Sequence, residues 1–307
     1  MVATGDGGEE PSPLRKLPAL GQGGMVEKFY PLSDKKEETC ACERYKQYYI
    51  DNTGRRMDRA AIEDEFSYVA ALGFIQKNSL ASKPKVAWLC GGALISAKYV
   101  LTTAHCVTDP KKGSLKKARI GVIASARDKI FDVDEIIPHE DFDPPVKYND
   151  IALVKLAQTI SLSVRFLLPC LSMDGNSDKT DSFAIIGWDA ATTAGDDQRR
   201  LIQKFNVDFH ECSAYFKGTY FPEGIKDSML CSAYKSTTST TNPDTCKANS
   251  GGLLVKKMYD YPVLIGLASF THNTACDMRN PSIYTDVSYY LKWIECIVWG
   301  NEGVIQQ

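Results

Sequence analysis

Three polar side chains of this 307-residue chain are of the types that nucleophilic catalysis by serine requires. His105 lies in LTTAHCV, Asp150 in YNDIALVKL and Ser250 in CKANSGGLLV, at intervals of 45 and 100 residues. A serine hydroxyl is a poor nucleophile near neutral pH and needs an imidazole to accept its proton. A buried carboxylate can hold that imidazole in the required tautomer and stabilise its cation. Glycines beside the serine leave room for a substrate carbonyl to approach backbone N–H groups.

Each of these segments is common when it is taken alone. A single histidine is often a packed core residue, NDIAL fits many strand beginnings, and SGG occurs in many turns. Their occurrence together and in this order, with Cys90 and Cys106 on either side of the histidine strand, is not expected by chance. We therefore predict that His105, Asp150 and Ser250 share one site.

Short apolar segments provide the elements that would position this site. The clearest are VAWLCGGALIS at 86–96, YVLTTAHC at 99–106, DIALVKL at 150–156, FAIIGW at 183–188 and YPVLIGLASF at 261–270. They are rich in β-branched and aromatic residues and lack helical periodicity. Closely spaced short strands are typical of sandwiches and barrels. The sequence therefore predicts an all-β fold, with His105 at the end of one strand and Asp150 at the start of another.

Three other segments differ from these strands. SYYLKWIECIVW at 288–299 has helical periodicity, Ser288 could cap the helix, and its apolar face would contain Leu291, Ile294, Ile297 and Val298. Residues 1–60 have poor apolar periodicity and predict a mostly irregular extension. The polar, low-complexity segment 232–244 predicts a surface loop.

Composition excludes several classes of protein. A formal net charge of −2 and a pI near 6.1 do not favour binding to nucleic acid or to anionic membranes. No apolar run approaches the ~20 residues that span a bilayer. The chain has no CxxC pair and only four histidines, so zinc-site spacings are absent and we expect neither a metal nor another cofactor.

The ten cysteines favour disulfides in an oxidising compartment over free thiols, because they are even in number and scattered along the chain. We therefore expect an extracellular, secreted protein. The first residues are polar and lack the apolar segment of a signal peptide. We accordingly expect the chain as given to begin after such a segment.

The combination of WLCGGALISAKYVLTTAHC, NDIALVKL, LPCLS and PSIYTDVSYYLKWIECIVW resembles the chymotrypsin-like (S1) serine peptidases. EFSYVAALGF and the IECIVW ending look most like the arthropod clip-domain proteases of immune and developmental cascades, although only two cysteines precede the protease region and the six-cysteine clip module is not complete. The resemblance implies two packed antiparallel six-stranded β-barrels and a C-terminal α-helix. It divides the chain into an N-terminal extension (1–60), a peptidase domain (61–300) and a tail (301–307).

The resemblance also implies roles for individual residues. His105 would be the general base, Asp150 its orienting carboxylate and Ser250 the nucleophile, while the N–H groups of Ala248 and Ser250 would form the oxyanion hole. Asp244 would lie at the bottom of the specificity pocket and select Arg or Lys, although it could also be an ordinary loop aspartate. Further substrate-binding positions would be Ser269, Thr271 and Ser282.

The disulfides implied by the resemblance are Cys90–Cys106, Cys212–Cys231, Cys246–Cys276 and Cys42–Cys170. The last of these would tie the N-terminal extension to the peptidase domain. Cys40 and Cys296 are left over and could pair with each other.

The activation device of the family is altered. Its Ile-Val-Gly-Gly terminus should fall on residues 55–58, which read Arg-Arg-Met-Asp, and the buried aspartate that pairs with this terminus is replaced by Asn249. Loss of one member of this ion pair would leave an unpaired buried charge and lower the stability of the fold by about 3–5 kcal/mol. Loss of both members can leave the stability nearly unchanged. We therefore expect the fold to persist without the device that organises the pocket after cleavage.

The oxyanion loop and the pocket walls depart from the family as well. Ala248 replaces a glycine of the family. If this position needs a left-handed backbone conformation, the Cβ of alanine costs roughly 1–2 kcal/mol there. Loss of one oxyanion donor lowers the rate by about 10²–10³. Thr271 and Ser282 replace wall glycines and should narrow the slot for a long basic side chain.

Two hypotheses of function follow from these features. The first is a trypsin-like endopeptidase of weak or unusual activity, and the second is a catalytically inactive serine protease homologue that acts as a binding partner or cofactor in an extracellular proteolytic cascade. The expected partners are protein substrates, cascade proteases and protease inhibitors, and the chain itself is expected to be a monomer.

The basic cluster Arg55, Arg56 and Arg59 is either a cleavage site for an upstream protease or an exposed linker. We expect cleavage there to leave activity unchanged.

Overall fold

The computed structural model is a mostly β protein that ends in a short helix. It describes residues 66–75, 86–121, 129–162, 168–173, 183–188, 201–209, 216, 218, 220–234, 251–258, 261–271 and 282–300. Within these residues the strands form a closed barrel and a second sheet. The all-β fold class predicted from the sequence is therefore confirmed.

The first unit is a closed six-stranded barrel with the order β1-β2-β3-β6-β5-β4. Every neighbouring pair is antiparallel. The strands are β1 Val69–Ile75, β2 Val86–Leu94, β3 Tyr99–Thr102, β4 Ser114–Ile120, β5 Lys129–Pro138 and β6 Ala152–Leu156. Closure removes the free strand edges. Leu72, Leu101 and Leu153 are fully buried in the core of the protein.

The second unit is a seven-stranded sheet with the order β11-β8-β9-β10-β13-β12-β7. Its strands are β7 Cys170–Leu171, β8 Phe183–Trp188, β9 Leu201–Phe209, β10 Met229–Tyr234, β11 Leu253–Met258, β12 Tyr261–Thr271 and β13 Ser282–Asp286. Because β11 also pairs with β12, six of the strands form a ring. β7 joins this ring by parallel pairing with β12. The two units correspond to the two barrels implied by the resemblance, with β7 as an addition.

A short helix follows β3 and carries His105. This helix, α1, is Ala104–Thr108 and contains five residues. The strand before it ends at Thr102. His105 therefore lies in a helix, and its predicted position at the end of a strand is wrong. One and a half turns are too short to produce a helical pattern in the sequence.

The C-terminal helix has the predicted apolar face but a different beginning. A 3₁₀ turn over Ser288–Tyr290 leads into α2, Leu291–Val298, in which Ile294 and Val298 are buried. Ser288 does not cap α2, because its N–H and hydroxyl donate to Asp286 Oδ1 at 2.9 and 2.7 Å. In the part of the chain that the structure describes, no helix combines the length and hydrophobicity needed to span a membrane.

One continuous apolar core joins the two units and the C-terminal helix. Leu72 and Val100 from the barrel, Ile186 and Leu264 from the second sheet, and Ile294 from α2 belong to the same buried cluster. Burial of each such side chain contributes about 1.5–3 kcal/mol. This shared core fixes the two units against each other, and the candidate site lies where they meet.

Candidate active site

His105 is held by Asp150 through both its main chain and its ring. A disulfide joins Cys106 of α1 to Cys90 of β2 and anchors the helix. The backbone N–H of His105 donates to Asp150 Oδ1 at 2.8 Å, and the ring Nδ1 lies 2.7 Å from Oδ2. Because a carboxylate can only accept hydrogen bonds, Nδ1 carries a proton, and in the neutral imidazole Nε2 then has the lone pair. This is the form that a general base needs.

Asp150 is a buried carboxylate, 1% exposed. Burial by itself raises the pKa of Asp150, but the charge and hydrogen bond of His105, together with Lys147 and Ser269, hold the pKa below its ordinary value. The group is therefore ionised at neutral pH. Its main-chain oxygen accepts a hydrogen bond from Thr285 Oγ1 at 2.8 Å, which ties the loop of Asp150 to β13.

Ser269, predicted as a substrate-binding residue, contacts the candidate catalytic carboxylate. Its buried hydroxyl donates to Asp150 Oδ2 at 2.5 Å. Ser269 belongs to β12 and Asp150 precedes β6, so this bond crosses from the second unit to the first. Its substrate-binding role stays a prediction. The contact with Asp150 could not be read from the residue types, because it depends on how the two units pack.

Asn149 sets the direction in which the chain enters Asp150. Its φ of 53° lies in the left-handed region, which asparagine adopts more readily than most residues. Tyr290 donates its O–H to Asn149 Oδ1 at 2.8 Å, and Asn149 Nδ2 donates to the main-chain oxygen of Asp141 at 3.1 Å. Burial raises the pKa of Tyr290 to about 12, so its hydroxyl remains a donor.

The glycine turn after Ser250 is anchored beside Ser269. Ser250 itself lies outside the described residues, and Gly251 follows it with a φ of 79°. The N–H of Gly251 donates to the oxygen of Ala268 at 3.0 Å, and the N–H of Ala268 donates to the oxygen of Gly252 at 2.7 Å. The chain that leaves Ser250 is thus bound to the residue before Ser269.

Replacing Gly251 by alanine should lower the free energy of unfolding by at least about 3 kcal/mol. A Cβ there would overlap the carbonyl oxygen of Gly91 and lie 3.0 Å from Thr102 Oγ1. Thr102 also donates to that oxygen at 2.7 Å, so the oxygen cannot move without breaking this bond. Urea unfolding measures the loss.

Gly224 offers a matched control for this substitution. Its φ is 80°, and nothing lies within 4 Å of a Cβ built on it. Gly224→Ala should therefore cost only the backbone penalty of roughly 1–2 kcal/mol. Equal losses for the two variants would show that the close approach of Gly251 to Gly91 does not matter.

The remaining predicted site residues are only partly within the described chain. Thr271 and Ser282 are cross-strand partners of β12 and β13, so the two positions expected in the pocket walls lie side by side. The predicted residues outside the described part are Asp244, Ala248, Asn249 and Ser250. Residues 1–60, with the predicted extension and cleavage region, lie outside it as well.

The cysteines show both paired and free states. Besides Cys90 and Cys106, Cys170 and Cys231 are disulfide-bonded. Their predicted partners lie outside the described part, as do the other cysteines named above: Cys40, Cys42, Cys212, Cys246 and Cys276. Cys296 has a free and exposed thiol, so the pairing of Cys40 with Cys296 is not formed.

Two β-barrel-like units with a histidine–aspartate pair at their junction define a chymotrypsin-like serine peptidase fold. The family model for trypsin matches residues 59–294, over three quarters of the chain. The chain therefore belongs to the trypsin family, and it contains a trypsin-like serine protease domain. The resemblance stated from the sequence motifs is confirmed.

Curated relatives and a solved structure agree with this assignment. CLIP domain-containing serine protease B4 of Anopheles gambiae is 29% identical over 253 residues, which are 76% of this chain and 67% of that protein. Chymotrypsin-C of Bos taurus is 31% identical over 216 residues, 67% of this chain and 76% of that protein. Neuropsin, a serine protease expressed in the limbic system of mouse brain, shares the fold with a TM-score of 0.56 and 23% identity, covering 76% of this chain and 95% of that one.

Proposed function

We propose that this protein is a secreted, trypsin-like serine endopeptidase with weak catalysis that cleaves after Arg or Lys. The observation that carries the proposal is the pair of the buried Asp150 and the partly buried His105, whose carboxylate oxygen and ring nitrogen are 2.7 Å apart. An imidazole oriented in this way has its free Nε2 available to accept a proton. Such a pair, followed in the chain by a serine on a glycine turn, is the machinery of acyl transfer to serine.

Each step of the proposed reaction uses a named residue. His105 Nε2 takes the proton of the Ser250 hydroxyl as the oxygen attacks the peptide carbonyl, and it later returns that proton to the leaving amine. Asp150 stabilises the imidazolium that forms between these steps. The N–H groups of Ala248 and Ser250 bind the oxyanion. Asp244 at the bottom of the pocket pairs with the basic side chain of the substrate.

We attribute weak activity to residues near the catalytic groups that differ from those of the family. Residues 55–58 lack the apolar terminus that activates the family, and Asn249 replaces the carboxylate that would bind its amine. Ala248 changes the oxyanion loop, and Thr271 and Ser282 narrow the pocket. Cleavage near Arg56 therefore leaves activity unchanged, because no terminus that could insert is released.

A second candidate function is that of a catalytically inactive homologue. Asn249 and Ala248 favour it, because both change the loop that must present the nucleophile and the oxyanion donors. In this case the protein acts in an extracellular cascade by binding a protease, a substrate or an inhibitor as a monomer.

The disulfides support secretion, because such bonds persist in oxidising compartments. We place the peptidase domain at 61–300, between the extension (1–60) and the tail (301–307). A bond between Cys42 and Cys170 would hold the extension on the domain after cleavage at the Arg55–Arg59 cluster. Cys212–Cys231 and Cys246–Cys276 would brace the second unit.

Labelling by a fluorophosphonate probe tests the endopeptidase directly, because the probe reacts only with an activated serine beside a usable oxyanion hole. We expect slow labelling that disappears in Ser250→Ala and is the same before and after limited cleavage near Arg56. No labelling of folded, disulfide-intact protein would reject the endopeptidase and leave the binding homologue. Faster labelling after cleavage would contradict the assignment of the activation region.

A further inference from the structure

A lysine from the turn after α1 binds the main chain of His105. α1 has five residues, too few to be stable as a helix by itself, so its position depends on contacts with the rest of the chain. Lys112 Nζ donates to the main-chain oxygen of His105 at 3.1 Å. Lysine side chains near the C-terminal end of a helix can bind its last carbonyl groups in this way. The ammonium group therefore contacts the candidate general base itself.

The turn that carries Lys112 is fixed by its own hydrogen bonds. It is a 3₁₀ turn over Pro110–Lys112, which Asp109 caps because its Oδ1 accepts from the backbone N–H of Lys111 at 2.9 Å. Gly113 ends the turn with a φ of 86°, and β4 begins at the next residue. The backbone of Lys112 is thus held between a capped turn and a strand of the barrel.

Asp109 also holds the side chain of Lys112. Its Oδ2 lies 3.3 Å from Lys112 Nζ. The N–H of Lys111, with the charge and hydrogen bond of Lys112, holds the pKa of Asp109 below its ordinary value although burial opposes this. The side chain of Lys112 is only 18% exposed, and charged hydrogen bonds are stronger where water is largely excluded. The ammonium group is therefore shared between a carboxylate and the carbonyl of His105.

His105 is bound at three of its polar groups. Asp150 accepts from its backbone N–H and from Nδ1, and Lys112 donates to its carbonyl oxygen. The bonds to the N–H and to the carbonyl fix the peptide groups on both sides of the Cα that carries the ring. The ring can keep its 2.7 Å contact with Asp150 only while this Cα stays in place.

We propose that Lys112 is a positioning residue that holds His105 in the orientation in which Nδ1 is bound to Asp150. It acts through the main chain of His105 and not by contact with a substrate. The inference rests on the proposed function only for the role of His105 as general base. The orientation of the ring does not require that a peptide is cleaved.

The position of the proton on the His105 ring tests this without catalysis. Nitrogen-15 NMR distinguishes a ring nitrogen that carries a proton from one that has a lone pair, and the carbon-bound ring protons make both nitrogens observable. The signals are assigned by their absence from His105→Gln. At a pH at which the imidazole is neutral, we expect the proton of the parent protein on Nδ1. In Lys112→Met both tautomers should be populated, so that the Nδ1 and Nε2 shifts move towards each other.

Three further variants separate positioning from a general loss of charge or stability. Lys112→Arg keeps a positively charged donor and should keep the parent shifts. Asp109→Asn keeps the oxygen that caps the turn but removes the charge that holds Lys112, so both shifts should move in the same direction by a smaller amount. Lys117→Met is the matched control, because Lys117 is on β4 and pairs with Asp132 at 2.7 Å; it should leave the shifts unchanged. Thermal unfolding checks that each variant is folded.

The rate of serine labelling gives the consequence for reactivity. Lys112→Met should slow the fluorophosphonate labelling of Ser250 by about tenfold, because a small displacement of a reacting group can lower a rate by as much as about 10²-fold. Lys112→Arg should restore most of the rate, and Lys117→Met should have the rate of the parent protein.

The outcomes for Lys112 and for the endopeptidase can be told apart. A protein that is not labelled, but whose His105 shifts move in Lys112→Met, rejects the endopeptidase and supports the role of Lys112. Identical shifts in the parent protein and in Lys112→Met overturn that role, whether or not the protein is labelled. An equal change in Lys117→Met, loss of the parent shifts in Lys112→Arg, or a parent protein without a proton on Nδ1 overturns it as well. If Lys112→Met does not fold, the shifts of Asp109→Asn decide in the same way.

Discussion

Asp150→Asn should slow the fluorophosphonate labelling of Ser250 by about 10⁴-fold while the protein stays folded. The substitution keeps the shape of the side chain but replaces an oxygen acceptor by an amide that can donate. Nδ1 of His105, now 2.7 Å from Oδ2, would face that amide and act as the acceptor. The ring proton would move to Nε2, and the lone pair needed to deprotonate Ser250 would be lost.

The rate of labelling, measured over hours at high probe concentration, gives the size of this effect. Asp134→Asn is the control, because Asp134 is 55% exposed and only approaches Lys155 at 3.7 Å. Its labelling should equal that of the parent protein. Unchanged labelling in Asp150→Asn would mean that Ser250 does not react through His105.

The dependence of protein stability on acid pH gives a second measure of how strongly the Asp150 carboxylate interacts with its neighbours. The pKa of Asp150 is lower in the folded protein than its ordinary value. Burial raises this pKa, but the charge and hydrogen bond of His105, the charge of Lys147 and the hydrogen bond of Ser269 outweigh it. A group of this kind contributes stability above its unfolded pKa, and this contribution is lost as the pH falls through the folded pKa. In Asp150→Asn, the free energy of unfolding should therefore decrease less steeply on acidification below about pH 4.

The strands that the sequence predicts are those whose residues are buried or strongly apolar. FAIIGW coincides with β8, and YPVLIGLASF differs from β12 by a single residue. β5, Lys129–Pro138, is different, because most of its residues are partly or fully exposed and several are charged. It forms a strand through its ladders with β4 and β6. Such non-local pairing leaves no periodic signal in one segment.

The candidate site was predictable in its residue types and not in its contacts. His105 and Asp150 stand in recognisable segments, and the structure brings them together across 45 residues. The bond from Ser269 to Asp150 joins residues 119 positions apart. Both follow from tertiary packing, which a linear pattern does not encode.

Ala248→Gly should raise the labelling rate of Ser250 by about 10²-fold, the loss that one missing oxyanion donor causes. In the proposed mechanism, the N–H at position 248 must point at the substrate oxygen, and a Cβ opposes the backbone conformation that allows this. The general base His105 and its buried partner Asp150 are already hydrogen-bonded. The oxyanion donor, and not the base, would then limit the rate.

The comparison that matters is between this variant and Ala157→Gly, a substitution in an exposed turn that should leave labelling unchanged. An increase only in Ala248→Gly, abolished by adding Ser250→Ala, would identify the oxyanion loop as the cause of weak catalysis. If labelling does not rise, the weakness lies in the missing terminus or in the narrowed pocket instead. His105 and Asp150 would then form an intact pair in a site that does not catalyse. This is the arrangement that a catalytically inactive binding homologue would have.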